Sequence, residues 1–229
     1  MDGIVLIDKP KGWTSFDVVA KVRGQLKRET GLKKPKVGHT GTLDPLATGL
    51  LVLVCGTYTK RAQEFSKLDK VYEAELTLGF NSTTDDNEGD KTKISDKIPS
   101  LNEVQAVLNT FVGEQKQLPP AFSAIKVDGQ RAYKLARAGK QVVIEPRTIS
   151  IYQISDIKYS YPTVNFTVAV SSGTYIRSLA RDIGEKLGTG AFLSQLRRTS
   201  VGQYDVKNSF TISAIGDELV VTPVPSPVE

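Results

Sequence analysis

The stretch Gly38–Val54, GHTGTLDPLATGLLVLV, sets one carboxylate, Asp44, among glycines and a proline and then runs straight into an apolar strand. The flanking glycines open backbone angles closed to other residues, while Pro45 fixes its own φ and turns Asp44 away from the helical region. A carboxylate held on such a scaffold, beside a buried strand, suits a nucleophile or an acid–base group. It suits equally the N-cap of a short helix whose first residue is Pro45. The local chemistry leaves both readings open.

Upstream, Ile4–Ile7 forms a short apolar strand that ends in the turn Asp8-Lys9-Pro10-Lys11-Gly12. Thr14 and Asp17 match a capping box, and Val18, Val19, Val22 and Leu26 make the apolar stripe of the helix that follows, closed by Gly31. Over residues 21–36 the charge is lopsided: Lys21, Arg23, Lys27, Arg28, Lys33, Lys34 and Lys36 stand against Glu29 alone. Such a run is either a solvated face or a patch that tracks phosphates and gains energy from counterion release. Downstream, Thr59–Leu68 reads as a helix packed through Ala62, Phe65 and Leu68. Val71–Phe80 alternates, with Tyr72, Ala74, Leu76, Leu78 and Phe80 on one face, so it predicts a half-buried strand with Tyr72 as a core aromatic. The acidic loop Asn81–Asp90 fails as a calcium loop, because Thr84 and Ser95 would have to supply ligands.

Ser100 and Glu103 open a further helix with Leu101, Val104, Leu108 and Phe111 on its face. Pro119-Pro120 introduces a strand over Phe122–Val127, with a hairpin turn at Asp128-Gly129 and a short helix over Tyr133–Arg137. Strands are expected at Gln141–Glu145, Thr148–Ile157 and Val164–Val170, and then a helix carries Leu179, Ala180, Ile183 and Leu187 inward. Arg177 falls in the first turn of that helix, where the macrodipole disfavours a cation, and this points to an anionic partner. The other reading is a surface salt bridge with Asp182 or Glu185, worth little. The expected organisation is one domain over residues 1–215 and a Pro-rich, disordered tail over residues 216–229.

Composition closes off several function classes. With 229 residues, 39% apolar and 24% charged, the chain falls among soluble globular proteins, and no apolar run reaches the ~18 residues of a membrane span. The start, MDGIVLIDKP, has no basic lead, so no signal peptide is expected. Cys55 is the lone cysteine, which fits a reducing compartment, and the expected location is cytoplasmic. His39 is the single histidine; without HExxH or paired cysteines no transition-metal site is expected. No GxSxG, GxxxxGK[ST] or GxGxxG occurs, so no cofactor is expected. Net charge is +5, a mild basic excess.

Taken together, these elements resemble the TruB family of tRNA pseudouridine synthases over about residues 3–205. GHTGTLDPLATG is the most specific match. It is joined, in the same order, by DKPKGWTSFDVV (Asp8–Val19), KVYEAELTLG (Lys70–Gly79), PPAFSAIKVDG (Pro119–Gly129), SSGTYIRSLARDIG (Ser171–Gly184) and LRRT (Leu196–Thr199). The resemblance implies an α+β pseudouridine synthase fold, with a mixed, mostly antiparallel central sheet flanked by helices. It implies isomerisation of uridine to pseudouridine in the T-loop of tRNA, at position 55, by a monomer that needs neither cofactor nor metal. Asp44 aligns with the family's nucleophile, Tyr72 with the tyrosine that stacks on uracil, and Arg177 with the active-site arginine. Leu196 aligns with a residue against the base, and Tyr175 is placed in the same substrate pocket. His39 aligns with the histidine that fills the space left by the flipped nucleotide. Lys9 and Lys126 match lysines expected to support the site and touch phosphates; Lys33, Lys34 and Lys36 are the phosphate-tracking candidates of the basic run. Asp86 matches an acidic position in the loop after the Tyr72 strand.

An aspartate is ionised at neutral pH and needs no general base to be nucleophilic, which fits a site with one histidine. Whether the carboxylate attacks the base, attacks the ribose carbon or assists an elimination stays open. The chain departs from the family pattern in three ways. It stops before a C-terminal RNA-binding domain of the PUA type, Ser82-Thr83-Thr84 stands where Thr-Asp-Thr is common, and Phe122 stands where Tyr is common. Two rivals are a guide-dependent pseudouridylase, which carries that further RNA-binding domain, and a non-catalytic tRNA chaperone. Intact Asp44, Tyr72 and Arg177 favour the enzyme.

Overall fold

The computed structural model describes residues 2–123, 125–127, 129–139, 143–216 and 221. The chain begins with β1 (Gly3–Lys9), α1 (Ser15–Thr30), β2 (Val37–His39), β3 (Thr48–Cys55), a 3-10 turn (Gly56–Arg61), α2 (Ala62–Ser66) and β4 (Lys70–Leu78). It continues through β5 (Phe80–Ser82), β6 (Lys91–Lys93), α3 (Leu101–Asn109), β7 (Gly113–Gln117), β8 (Lys126–Val127), β9 (Gln130–Arg131) and α4 (Ala132–Arg137). The last elements are β10 (Arg147–Ser160), β11 (Thr163–Val170), α5 (Ile176–Leu187), β12 (Ala191–Val201), β13 (Tyr204–Asp205) and β14 (Phe210–Thr211). Two compact units result, Met1–Tyr72 with Leu196–Glu229, and Glu73–Gln195.

In the first unit the strand order is β14–β1–β3–β12, with β2 on β3 and β13 on β12. β1 runs antiparallel to β3 from Gly3↔Cys55 to Lys9↔Gly49, whereas β14 pairs with β1, and β12 with β3, in parallel, so the sheet is mixed. Ile4, Leu50, Val52, Val54, Phe65 and Val201 make one apolar cluster. α1 forms as expected: Thr14 and Asp17 exchange capping-box bonds, Val18, Val19, Val22 and Leu26 are buried, and Gly31 ends the helix at φ 68°. The segment expected as one helix over Thr59–Leu68 splits into the 3-10 turn and α2, with Phe65 buried.

In the second unit the order is β12–β4–β11–β10–β7, with β10 antiparallel to both β11 and β7. The alternations hold for Ala74, Leu76 and Leu78 on β4 and for Val164, Phe166, Val168 and Val170 on β11, all buried, but β4 ends at Leu78; Gly79, at φ 95°, breaks the strand, and Phe80, expected on the same face, is half-buried in β5. α5 packs Leu179, Ala180, Ile183 and Leu187 inward. With both mixed sheet and helices present, the class is α+β.

Other expectations fail here. The strand foreseen at Phe122–Val127 survives only as β8, because the Phe122 carbonyl accepts from an arginine side chain instead of a ladder partner. Val143–Glu145 is not strand, and Gln141 and Val142 lie outside the described residues. β7, GEQKQ, gives no strand signal in the sequence; it pairs with β10 despite carrying no apolar alternation. Leu101 is 44% exposed and is no part of the α3 core face. Apart from Gly216 and Val221, the Pro-rich tail lies outside the described residues.

Candidate active site

Asp44 does not cap a helix. Its carbonyl accepts from Ala47 N–H at 3.0 Å, with Pro45 at the second position of the turn, and the chain passes directly into β3. The turn is tied down from outside. Gly12 N–H donates to the Pro45 carbonyl at 2.8 Å, and Ser15 Oγ both donates to Leu43 O (3.0 Å) and accepts from Leu43 N–H (2.8 Å). Arg198, 2% exposed, donates through Nη2 to Gly41 O (3.1 Å) and through Nε to Leu50 O (2.7 Å). Backbone polar groups in an irregular loop need partners, and these side chains supply them. Asp44 itself is half-buried.

Lys9 is wholly buried at the end of β1, where its Nζ donates to the Pro10 carbonyl at 2.9 Å and the Trp13 carbonyl at 2.7 Å. Burial lowers its ammonium to about 8; the negative charge of Asp44 works against this, and the Arg198 guanidinium adds to it. Lys9, Asp44 and Arg198 therefore share one electrostatic neighbourhood, a carboxylate with two buried cations behind its loop. His39 is half-buried on β2, opposite Leu53 of β3. Tyr72 is buried on β4 and Leu196 is half-buried on β12, while Lys33, Lys34 and Lys36 stand exposed before β2.

In the second unit Arg177 lies in the first turn of α5, 7% exposed. The anionic partner its position demanded is Asp86, with Nη1 3.4 Å from Oδ2. Its guanidinium also donates to Thr84 O (3.3 Å) and Phe122 O (3.0 Å). Asp86 is fixed in turn, its Oδ1 accepting from Thr84 Oγ1 (2.5 Å) and Glu88 N–H (3.0 Å). Asp182 does not pair with Arg177; it faces Arg181, which also holds Asp85 at 3.0 Å. Burial raises the pKa of Asp85 and Asp182, and Arg181 opposes the rise in each. Tyr175, the N-cap residue of α5, exchanges two backbone bonds with the Gln117 side chain, at 2.8 and 3.0 Å. Lys126 lies in β8, and its side chain is outside the described residues.

The first unit thus gathers Lys9, His39, Asp44, Tyr72, Leu196 and the basic run; the second carries Tyr175, Arg177, Asp86 and Lys126. Sequence reasoning missed Arg198 and Ser15 as supports of the Asp44 turn. LRRT marked Arg198 only as half of a basic pair, and nothing local says that it points inward.

Residues 27–176 match the model of the TruB family pseudouridylate synthases, N-terminal domain. The chain belongs to the TruB family. Residues 177–223 match the tRNA pseudouridylate synthase B C-terminal domain. The chain is 43% identical over 218 residues to the tRNA pseudouridine synthase B of Chlorobaculum tepidum, covering 94% of this chain and 90% of that one. It is 44% identical to the protein of that name from Burkholderia mallei, covering 94% and 69%. Among solved structures it resembles a chain of a Cbf5-Nop10-Gar1 complex at 32% identity and a TM-score of 0.71, covering 94% of this chain and 54% of that one. A chain of an H/ACA RNP bound to a substrate RNA containing 2′-deoxyuridine gives 29% identity and a TM-score of 0.68, again with about half of that chain, 52%, spanned. TruB membership makes this chain an isomerase with the pseudouridine synthase fold. No helix among the described residues is long and apolar enough to cross a membrane.

Proposed function

We propose that this chain isomerises uridine to pseudouridine in tRNA, at position 55 of the T-loop, with Asp44 as the nucleophile. The observation that carries the reading is the Asp44 turn: a half-buried carboxylate pinned by Ser15, Gly12 and Arg198, with a buried ammonium in its field. Relatives at 43% and 44% identity bear the name tRNA pseudouridine synthase B and supply the substrate class.

The reaction breaks the bond from ribose C1′ to N1 of uracil, turns the detached base and joins C1′ to C5. C5 then loses a proton and N1 gains one. Asp44 acts on the base, on C1′ or by helping an elimination at the sugar; each route begins from its carboxylate. The target nucleotide must first leave its stack, at a cost of a few kcal/mol. In this reading Tyr72 stacks on the extruded uracil, Leu196 and Tyr175 line its pocket, and His39 fills the space it leaves. Arg177 is the site's arginine, oriented by Asp86, while Lys9 supports the Asp44 loop and Lys126 touches phosphate. The protein works as a cytoplasmic monomer on the T-arm, without metal or cofactor.

Release of tritium from C5-labelled tRNA, with no guide RNA added, tests the reading. Wild type should release label, and Asp44→Asn should fall below about a thousandth of that rate, a barrier change of roughly 4 kcal/mol, while binding tRNA as before. Residual turnover above that level would remove Asp44 as nucleophile. Tight binding without any release by wild type would favour the chaperone, and release only with a guide RNA would favour the guide-dependent reading.

A further inference from the structure

The first unit holds an open groove of about 780 Å³ between α1 and residues 33–37, lined by Arg23, Lys27, Lys33, Lys34, Lys36 and Thr59. We propose that this groove is a second hold on the substrate, a site for RNA phosphodiester backbone separate from the site of chemistry. The proposal rests on the reading that the substrate is RNA, and it adds a place and a set of contacts to the bare run of lysines.

The argument starts from charge. Five cations line one groove, and none of them is in an ion pair among the described residues. Glu29, the acid within this stretch, accepts from Gln25 Nε2 at 2.5 Å instead of turning to a lysine. The C-terminal dipole of α1 accounts for Lys27 in its last turn, but not for Lys33, Lys34 and Lys36, which follow the Gly31 cap. Like charges gathered in a concave surface repel one another and focus a positive potential outward, an arrangement suited to an anion. The groove is also built, not merely charged: Arg23 Nη2 donates to the Val37 carbonyl at 3.0 Å, tying the lysine loop to the helix.

The form of the anion follows from the layout. The cations spread along a helix face and a loop, which matches a row of phosphates better than a single one. β2 leads from this groove to the catalytic loop, since Val37 lines the groove, His39 follows on the same strand and Asp44 lies a turn further on. One RNA strand seated at Asp44 can therefore lay its flanking backbone in the groove.

Lys27, Lys33, Lys34 and Lys36 are exposed, so changing all four to Gln should leave the unfolding temperature in place. The test measures tRNA affinity over a salt series, and single-turnover tritium release at saturating RNA, for wild type, this variant and a charge-matched control in which Lys67, Lys116, Lys158 and Lys207 become Gln. The groove variant should bind at least about tenfold more weakly at low salt, with the slope of log K against log salt lowered by about 2–4, at ~0.7–0.9 per lost phosphate contact. Its rate at saturation should stay within about twofold of wild type, and the control should keep the wild-type slope. An unchanged slope, an equal loss in the control, or a fallen rate with unchanged affinity would overturn the proposal. A wild type that binds tRNA with the steep slope but releases no tritium would sink the isomerase reading and leave the groove standing.

Discussion

Replacing Asp86 by Asn removes the buried carboxylate that faces Arg177. Both side chains are almost inaccessible, 8% for Arg177 and 4% for Asp86, so water cannot take over the lost interaction. Removing one partner of such a pair costs about 3–5 kcal/mol, because the remaining charge stays desolvated. Asn keeps an oxygen for the bonds that Asp86 Oδ1 accepts from Thr84 Oγ1 and Glu88 N–H, which places Asp86→Asn near the low end, about 3 kcal/mol. Asp86→Ala also drops those two bonds and should lose a further ~1–3 kcal/mol. Against a total of about 5–15 kcal/mol for a typical domain, either loss is large.

Urea unfolding at neutral pH gives these values, and Asp86→Leu, Arg177→Met and the double variant carrying both form a separate cycle. With both charges gone the burial penalty disappears, so the double variant should lose at least about 2 kcal/mol less than the sum of the single changes. Tritium release, measured at a temperature where all variants are folded, should fall in each, since Asp86 no longer helps to orient the guanidinium of Arg177. An Asp86→Asn cost under about 1 kcal/mol, or strict additivity in the cycle, would refute the assignment of this pair as a buried brace.

Two glycine-to-alanine changes should differ in sign. Gly49 has φ 99°, and an added Cβ would sit 2.2 Å from Arg198 O, so Gly49→Ala should cost ~2–5 kcal/mol by thermal unfolding. Gly24 in α1 has only the Arg28 guanidinium near, at 4.0 Å, so Gly24→Ala should gain ~0.5–1 kcal/mol. A further prediction concerns pH. Burial lowers the Lys9 and Lys70 ammonium groups from 10.5 to about 8, so between those values the unfolded chain binds more protons and stability rises with pH. Cys55, raised by burial from 9.0 to about 11, acts in the opposite direction above pH 9, which leaves pH 8 to 9 as the clean window. Urea midpoints should climb across that window in wild type and climb less in Lys70→Met; a flat wild-type profile would contradict the shifts.

Much of this was legible because local chemistry and tertiary position agree. The Thr14–Asp17 and Ser100–Glu103 boxes, the αL cap at Gly31 and the alternation on β4 and β11 each depend on a few neighbours, and each formed as read. Arg177 showed its need for an anion through its helix position alone. The identity of that anion, 91 positions earlier by numbering at Asp86, was set by packing that no local pattern encodes. β7 failed to announce itself for a related reason: GEQKQ is held by backbone bonds to β10, and its polar side chains carry no period. Phe122 erred the other way, an apolar residue after two prolines whose carbonyl serves Arg177 rather than a strand.

The Asp44 turn makes the same point for chemistry. Its backbone has few partners of its own, so its shape depends on Gly12 and Ser15 at the start of α1 and on Arg198 in β12. DKPKGWTS and LRRT, which look like separate motifs along the chain, are thus parts of one device that fixes a carboxylate. Arg198 is also why Gly49 must be glycine, because the strand that receives the turn passes within contact of its backbone. A loop determined from several directions can hold a reacting group within the few tenths of an ångström that covalent catalysis requires. Loosening any one of these supports should therefore lower the rate of isomerisation before it lowers the affinity for RNA.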